Sequence, residues 1–449
     1  WILVRRAWLL QPGRSHPGHF VLTSGQGFVI IRDLSGLCFS GAMKETGMSS
    51  KLGSLSNRNI RVLAARTFLR GMRDSVVRLV WQPFVLSLGA SMPFLGFLES
   101  LGGLGGIVTT LVQPLSGRLS DYWGRKVFIL FSSVFATVAL SIYMLAGFTD
   151  NWYLLIPGVA ILGLSFACRP SEDSMTAESV GVAGRAMAYS LVMLSGALSG
   201  VFAPLLGGFV ADRWGYIVVF LMGLALDVVA LVLVASLLKE TLASQSRRPV
   251  AFDQLKGVFG GILVPPGKLR GFYIALAVDA FAWGTGWGIL YGLLSEVYHF
   301  TASQLGIMSC LSSVGWAVFQ MPVGKLVERY GCVKSLILSE VGGVILAAGW
   351  LYATTFQTFA LLQILFGFSI ATFLPATMTW MANSVPREKM AEEIGRLNAF
   401  RGLVGFPAPY IGGLLYKAFG FRGPITVNLI GALTVVILLA TLVREPTMD

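Results

Sequence analysis

Roughly twenty consecutive apolar residues, then a few polar ones, then apolar residues again: from residue 62 to residue 443 this pattern recurs about twelve times. The segments fall at 62–88, 93–116, 125–147, 152–174, 187–209 and 216–238, then at 271–294, 303–323, 332–353, 356–380, 396–416 and 423–443. In hydrocarbon each backbone N–H and C=O must find its partner inside the chain, so segments of this length are committed to α-helix. A soluble alternative fails on composition. Only 12% of the 449 residues are charged, against about 25% in soluble domains, too few to cover a water-facing surface. The expectation is an all-α membrane protein of twelve transmembrane helices.

The net charge of +12 does not imply nucleic acid, because the basic residues sit between apolar runs and not in one patch. One set of loops holds Arg118, Arg125 and Lys126, then Arg185, then the stretch 239–270 with Arg247, Arg248, Lys256, Lys268 and Arg270. It continues with Lys325, Arg329 and Lys334, then Arg387, Lys389 and Arg396. The alternate loops hold little beyond Arg213, Lys417 and Arg422. Positive residues stay inside, so the first set and both termini are expected to be cytoplasmic. The cysteines (Cys38, Cys168, Cys310, Cys332) have no metal-ligand spacing. No Walker A lysine, HExxH or nucleophile elbow is present, and no cofactor, metal or enzymatic chemistry is expected.

The two halves repeat. An offset of 205 relates Pro204 to Pro409, Gly207-Gly208 to Gly412-Gly413, Gly215 to Gly420 and Glu240 to Glu445. The same offset relates Pro170 to Pro375, Ala177 to Ala382, Ser179 to Ser384 and Asp74 to Asp279. A shared register for a Pro-x-x-Gly-Gly block, a helix-end Glu and an intramembrane Asp points to a duplicated six-helix unit. Two such units, pseudo-symmetric, place a binding site between them near the bilayer midplane.

The loop after the second segment reads Gly117-Arg-Leu-Ser-Asp121-Tyr-Trp-Gly124-Arg125-Lys126. A degenerate copy stands at the matching place in the second half, Gly324-Lys-Leu-Val-Glu328-Arg329-Tyr-Gly331-Cys-Val-Lys334. Gly117 permits close approach of helices and Gly124 a tight turn. Asp121 can cap a neighbouring helix N-terminus. Arg125 can pair with an acid at a helix end, and Glu178 is the candidate. This loop, in both copies, resembles the signature G-x-L-a-D-r-x-G-r-k of the major facilitator superfamily, departing where Tyr122 replaces a basic residue, where Glu328 replaces Asp and where Cys332 replaces a basic residue. The resemblance covers roughly residues 58–447 and implies the superfamily's fold, transport by alternating access and a monomer. It also implies that the Asp121–Arg125–Glu178 cluster latches a cytoplasmic gate.

The fifth segment reads Gly196-Ala-Leu-Ser-Gly200-Val-Phe-Ala203-Pro204-Leu-Leu-Gly207-Gly208. Its tail is similar to the family's antiporter motif G-x-x-x-G-P-x-x-G-G, its head is not, and the tail recurs as Pro409-Tyr-Ile-Gly412-Gly413. Small residues plus Pro are expected to make a packing hinge. The run Gly102-Gly-Leu-Gly-Gly106 follows no strand and is expected to serve packing within an apolar helix.

Charges inside the membrane each cost about 2.5–3.5 kcal/mol on insertion scales. The first segment carries Arg66, Arg70, Arg73, Asp74 and Arg78, and positions 66, 70, 74 and 78 share a face. In the family, helices one, four, seven and ten line the central cavity, so that face would look into it. Arg66 is expected to snorkel to the cytoplasmic surface, with Arg70 as a second candidate for doing so. Asp74 and Arg78 can pair across one turn. Asp279 has no adjacent cation in its own segment and is followed by Trp283, Trp287 and Tyr291 at helical spacing, a stripe that serves either core packing or a substrate platform. A desolvated carboxylate favours its neutral form, which makes Asp279 and Asp74 proton-carrier candidates. Arg169, Glu172 and Asp173 at the end of the fourth segment line the cavity or, preferably, sit at its cytoplasmic mouth. Asp227, Glu340 and Glu99 lie on segments peripheral in the family or on the second, and are expected to be structural or interface residues.

Residues 1–57 are expected to form an N-terminal extension, disordered or foreign to the natural chain, followed by a six-helix bundle at 58–238, a cytoplasmic linker at 239–270 and a second bundle at 271–449. Residues 1–47 lack a helical period and a signal-peptide pattern, and Met43 or Met48 is the expected natural start. The whole implies a multi-pass plasma (inner) membrane secondary transporter of a small organic solute, with protons as coupling ion and efflux antiport or solute symport as its directions. An uncoupled facilitator and a non-transporting receptor or scaffold are the alternatives. The arginine-rich first segment favours an anionic or polar solute, and the aromatic stripe favours efflux of amphipathic compounds.

Overall fold

The computed structural model describes residues 20–24, 27–31, 57–103, 105–181, 184–242, 265, 267–386 and 390–446. Sixteen α-helices among the described residues account for the expected segments. In the first half they are α1 (Arg58–Ser87), α2 (Met92–Gly102), α3 (Ile107–Trp123), α4 (Arg125–Thr149), α5 (Leu155–Ala167), α6 (Pro170–Glu178), α7 (Arg185–Trp214) and α8 (Tyr216–Leu237). In the second half they are α9 (Arg270–Gly286), α10 (Leu290–Tyr298), α11 (Ala302–Tyr330), α12 (Cys332–Tyr352), α13 (Phe356–Ser384), α14 (Met390–Gly405), α15 (Ala408–Phe419) and α16 (Arg422–Leu442). Ten stretches are long and apolar enough to cross a membrane. Charged α1, and the pair α14–α15 divided at Pro407, fall outside that set.

Four expected segments are broken, each for a local reason. The Gly-rich run separates α2 from α3, correcting the expectation that it lies within a helix; successive residues without Cβ lose the most backbone entropy in a helix. Pro170 opens α6, and its missing N–H is harmless only at a helix start. Pro407 divides α14 from α15 in the same way. A short 3₁₀ turn, Trp287–Ile289, divides α9 from α10 beside two glycines, Gly286 and Gly288. Part of the N-terminal extension carries regular structure: β1 (Phe20–Ser24) and β2 (Gly27–Ile31) pair antiparallel, as their β-branched residues favour. Residues 32–56 and most of the linker, with Arg247, Arg248 and Lys256, lie outside the described residues, as do Arg387 and Lys389.

The ends of the bundle differ in how the halves meet. We call the end carrying the Gly117–Lys126 loop the basic end. At the other end one buried apolar core runs through both halves, from Val76, Phe84 and Leu95 to Leu293, Phe359 and Ile425. At the basic end the core is divided: Leu63, Ile129 and Val234 belong to a cluster of the first half alone, and Phe272, Leu336 and Trp380 to a cluster of the second.

Cross-half bonds fall on the same side as the shared core. The Gln82 side chain donates to the Gly288 carbonyl at 2.7 Å and accepts from the Gly292 N–H at 2.8 Å. The Tyr410 N–H donates to Ser100 Oγ at 3.2 Å. The Asp212 carboxylate, at the end of α7, accepts from the N–H groups of Ala302 and Ser303 at 2.9 Å each, capping α11. The paired glycines take matching places. A Cβ on Gly207 would meet Val76 of its own half, and one on Gly208 would come 2.5 Å from the Ala302 carbonyl of the other. Gly412 faces Thr285 of its own half, and Gly413 faces Met92 across the joint.

Candidate functional site

The charged face of α1 meets α6 and α8 of its own half. Every arginine there must be neutralised or hydrated, because the surrounding helices are apolar. Asp74 accepts from Arg73 at 2.7 Å and from Arg169 at 3.1 Å. Arg73 turns out of the stripe to reach Asp227 of α8 at 3.1 Å, and Thr137 donates to the same carboxylate at 3.0 Å. Glu172, the second residue after Pro170, holds both Arg66 and Arg70, the latter at 2.5 Å. A cavity of about 230 Å³ opens beside this network, lined by Thr67, Arg70, Arg169, Glu172, Asp173 and Met193 among others.

Three expectations are corrected here. Arg66 does not snorkel: it is 1% exposed and paired with Glu172 inside the half. Glu172 sits in the buried wall of the cavity and not at its mouth, because the break before Pro170 turns α6 toward α1. Asp74 and Arg78 do not pair, since Arg73 and Arg169 occupy both oxygens of Asp74. Asp227 is the buried partner of Arg73.

In the second half, buried Asp279 of α9 accepts from Arg401 of α14 at 3.0 Å, and the same guanidinium donates to the Leu276 carbonyl at 3.2 Å. The Asp279 partner thus comes from another helix. Arg401 was missed in the sequence because it follows the loop charges Arg387, Lys389 and Arg396 and reads as one of them. Trp283 lies against Phe366 and Trp350. Trp287 stacks on Phe366 with ring centroids 5.4 Å apart, and the Arg78 guanidinium lies over the Trp287 ring at 5.1 Å. Trp283, Trp287 and Tyr291 are all partly buried against the shared apolar core.

At the basic end, Arg125 meets Glu178 at 3.2 Å and Asp121 at 2.5 Å. Asp121 caps no helix among the described residues. The N-terminus of α4 is capped instead by Glu240, which accepts from the N–H groups of Arg125 and Lys126 at 3.2 and 2.9 Å. Its repeat mate Glu445 accepts from the Val333 N–H of α12 at 2.7 Å. Gly124 and Gly331 turn with φ of 108° and 92°, where side chains are strained. Gly117 and Gly324 are not closely approached: a Cβ on Gly117 would lie 3.9 Å from Pro170, and one on Gly324 would meet nothing within 4 Å. Glu328 has no counterpart of the Arg125–Asp121 bond, because Cys332 stands four residues on in place of Arg.

A model of the Major Facilitator Superfamily matches residues 63–270 and 272–449. The chain belongs to the major facilitator superfamily. It is thus an integral membrane transporter with that superfamily's all-helical fold. It is 26% identical over 352 residues to the multidrug resistance protein MdtG of Klebsiella pneumoniae (strain 342), covering 74% of this chain and 84% of that one. The fold is similar to that of the nucleoside transporter NupG (TM-score 0.67, 16% identity, 85% of this chain and 97% of that one). It is also similar to a D-xylose–proton symporter (TM-score 0.66, 13% identity, 89% and 100% covered). In a superfamily of transporters, the charged cavity walled by α1, α6 and α7 is the candidate solute path.

Proposed function

We propose that the chain is a proton-coupled secondary transporter that moves a small organic solute across the plasma (inner) membrane by alternating access, exporting it in exchange for protons. The observation that carries this reading is the divided core: apolar contact between the halves is continuous at one end and absent from the described clusters at the other. With the basic end and both termini in the cytoplasm, this is the inward-open state. The open space around Gly117 and Gly324 supports it, since small residues are required there only when the basic ends close. In that closed state the Asp121–Arg125–Glu178 cluster would act as the latch.

Proton coupling is assigned to Asp74 and Asp279, which occupy repeat-related positions and are each gripped by an arginine from another helix. A proton taken up by either carboxylate cancels its charge, releases Arg169 or Arg401, and frees the helices to move. Export is supported by the similarity to multidrug resistance proteins, and coupling by the fold shared with a proton symporter.

The test is proton flux in proteoliposomes holding an internal pH-sensitive dye, challenged with organic anions, sugars and lipophilic cations. One class should evoke proton movement, with the sign of antiport. The Asp74→Asn/Asp279→Asn double variant should lose gradient-driven transport while retaining solute exchange. Concentrative transport surviving in the double variant would refute the assignment of the carriers.

A further inference from the structure

Arg78 is the one guanidinium of the charged face that holds no carboxylate among the described residues. Arg66, Arg70, Arg73, Arg169 and Arg401 each hold one. The acid within electrostatic reach, Glu99, is engaged by the Gln82 amide at 2.9 Å. Arg78 is nevertheless exposed, although its neighbours Val77, Leu79 and Val80 are buried. Its guanidinium lies over Trp287 of the opposite half, so it faces the other half and not lipid. Gln82, one helical turn on, ties the two halves together. Arg78 therefore stands on the seam side of the charged network, about two turns of α1 beyond the cavity-lining Arg70.

We infer that Arg78 and Trp287 form the head-group subsite of the transport cavity, and that it selects amphipathic organic anions: a carboxylate, sulfonate or phosphonate joined to an apolar or aromatic body. A guanidinium presents paired N–H donors that match a planar or tetrahedral oxyanion. A cation over an aromatic face is partly compensated, but its in-plane donors stay free. Trp287, its stacking partner Phe366 and Tyr291 supply the apolar wall for the body. The remaining arginines compete less for the anion, because an acid already engages each of them, Arg66 and Arg70 sharing Glu172 and Arg73 and Arg169 sharing Asp74. The site takes contributions from both halves, so an anion bound there bridges them in this state and is released when they part.

This inference rests on the transporter reading, and the experiment separates the two. The protein in nanodiscs is titrated with 2-naphthoate, 2-naphthalenemethanol and 2-naphthylmethylammonium, which share one ring system and differ in charge, with tryptophan fluorescence as readout. The naphthoate is expected to bind at least about tenfold more tightly than the alcohol. Arg78→Gln should bring naphthoate to parity with the alcohol while leaving alcohol binding unchanged, and Arg78→Lys should keep part of the preference, which shows that the variants are folded. Equal or tighter binding of the alcohol or the ammonium by the natural protein, no binding of any probe, or naphthoate preference retained in Arg78→Gln would overturn the inference. Naphthoate counterflow is then measured in proteoliposomes. Selective binding without flux would sink the transporter reading and leave the anion subsite standing, whereas flux of the alcohol or ammonium alone would do the reverse.

Discussion

Asp212 caps the first two N–H groups of α11 from across the joint, and its removal should open the end of the molecule that is closed here. Both bonds are 2.9 Å and both carry the carboxylate's charge to a helix N-terminus. Loss of such a cap costs about 0.5–2 kcal/mol. One of the two donors, the Ser303 N–H, is exposed and will be rehydrated; the other is part-buried. Thr301 still caps the Gln304 N–H from within α11, so the helix itself survives. We therefore expect Asp212→Ala to weaken the closed end by about 1–1.5 kcal/mol, a shift of roughly tenfold in the ratio of open to closed molecules. Asp212→Asn, which keeps one acceptor, should move it less. The assay is a pulsed electron–electron distance measurement between spin labels at Thr149 and Tyr352, both exposed at that end and on different halves, in a background with the four cysteines replaced by Ser. The long-distance population should grow in Asp212→Ala and stay unchanged in an Arg213→Ala control. Identical distance distributions for Asp212→Ala and the parent would refute the idea that this carboxylate holds the halves together.

Two further outcomes follow from close contacts. Gly208→Ala places a methyl 2.5 Å from the Ala302 carbonyl and should push the halves apart in the same distance assay, whereas Gly117→Ala, with 3.9 Å of room, should leave this state undisturbed and instead slow transport when the basic end must close. Arg401→Gln strands the buried Asp279 carboxylate and should destabilise the second half by about 3 kcal/mol, read as a drop in thermal midpoint; adding Asp279→Asn should restore most of it, and additive losses would contradict the pairing.

The apolar segments, the duplication and the intramembrane charges were legible because each is written locally, as a run, a register or an out-of-place residue. Arg125 could be matched to Glu178 because both stand at helix ends on the same side. The fate of Arg66 was not legible: its partner Glu172 arrives from a helix broken at Pro170, and nothing near Arg66 in the chain announces that break. Glu240 and Glu445 were visible as a repeated pair, yet their role needs the fold, since the helices they cap begin more than a hundred residues earlier. Asp212 was passed over because a lone acid beside Arg213 in a short loop carries no period and no motif.

Those two glutamates close each half of the repeat upon itself. Each copy of the ancestral unit ends by fastening its last residues back onto its own interior, Glu240 onto the helix begun at Arg125 and Glu445 onto the helix begun at Cys332. Neither copy borrows that fastening from its sibling. A polypeptide severed after Leu242 would thus leave two fragments, each with both ends of its loop already tied, and reassembly would need only the apolar and polar seam at one end of the molecule.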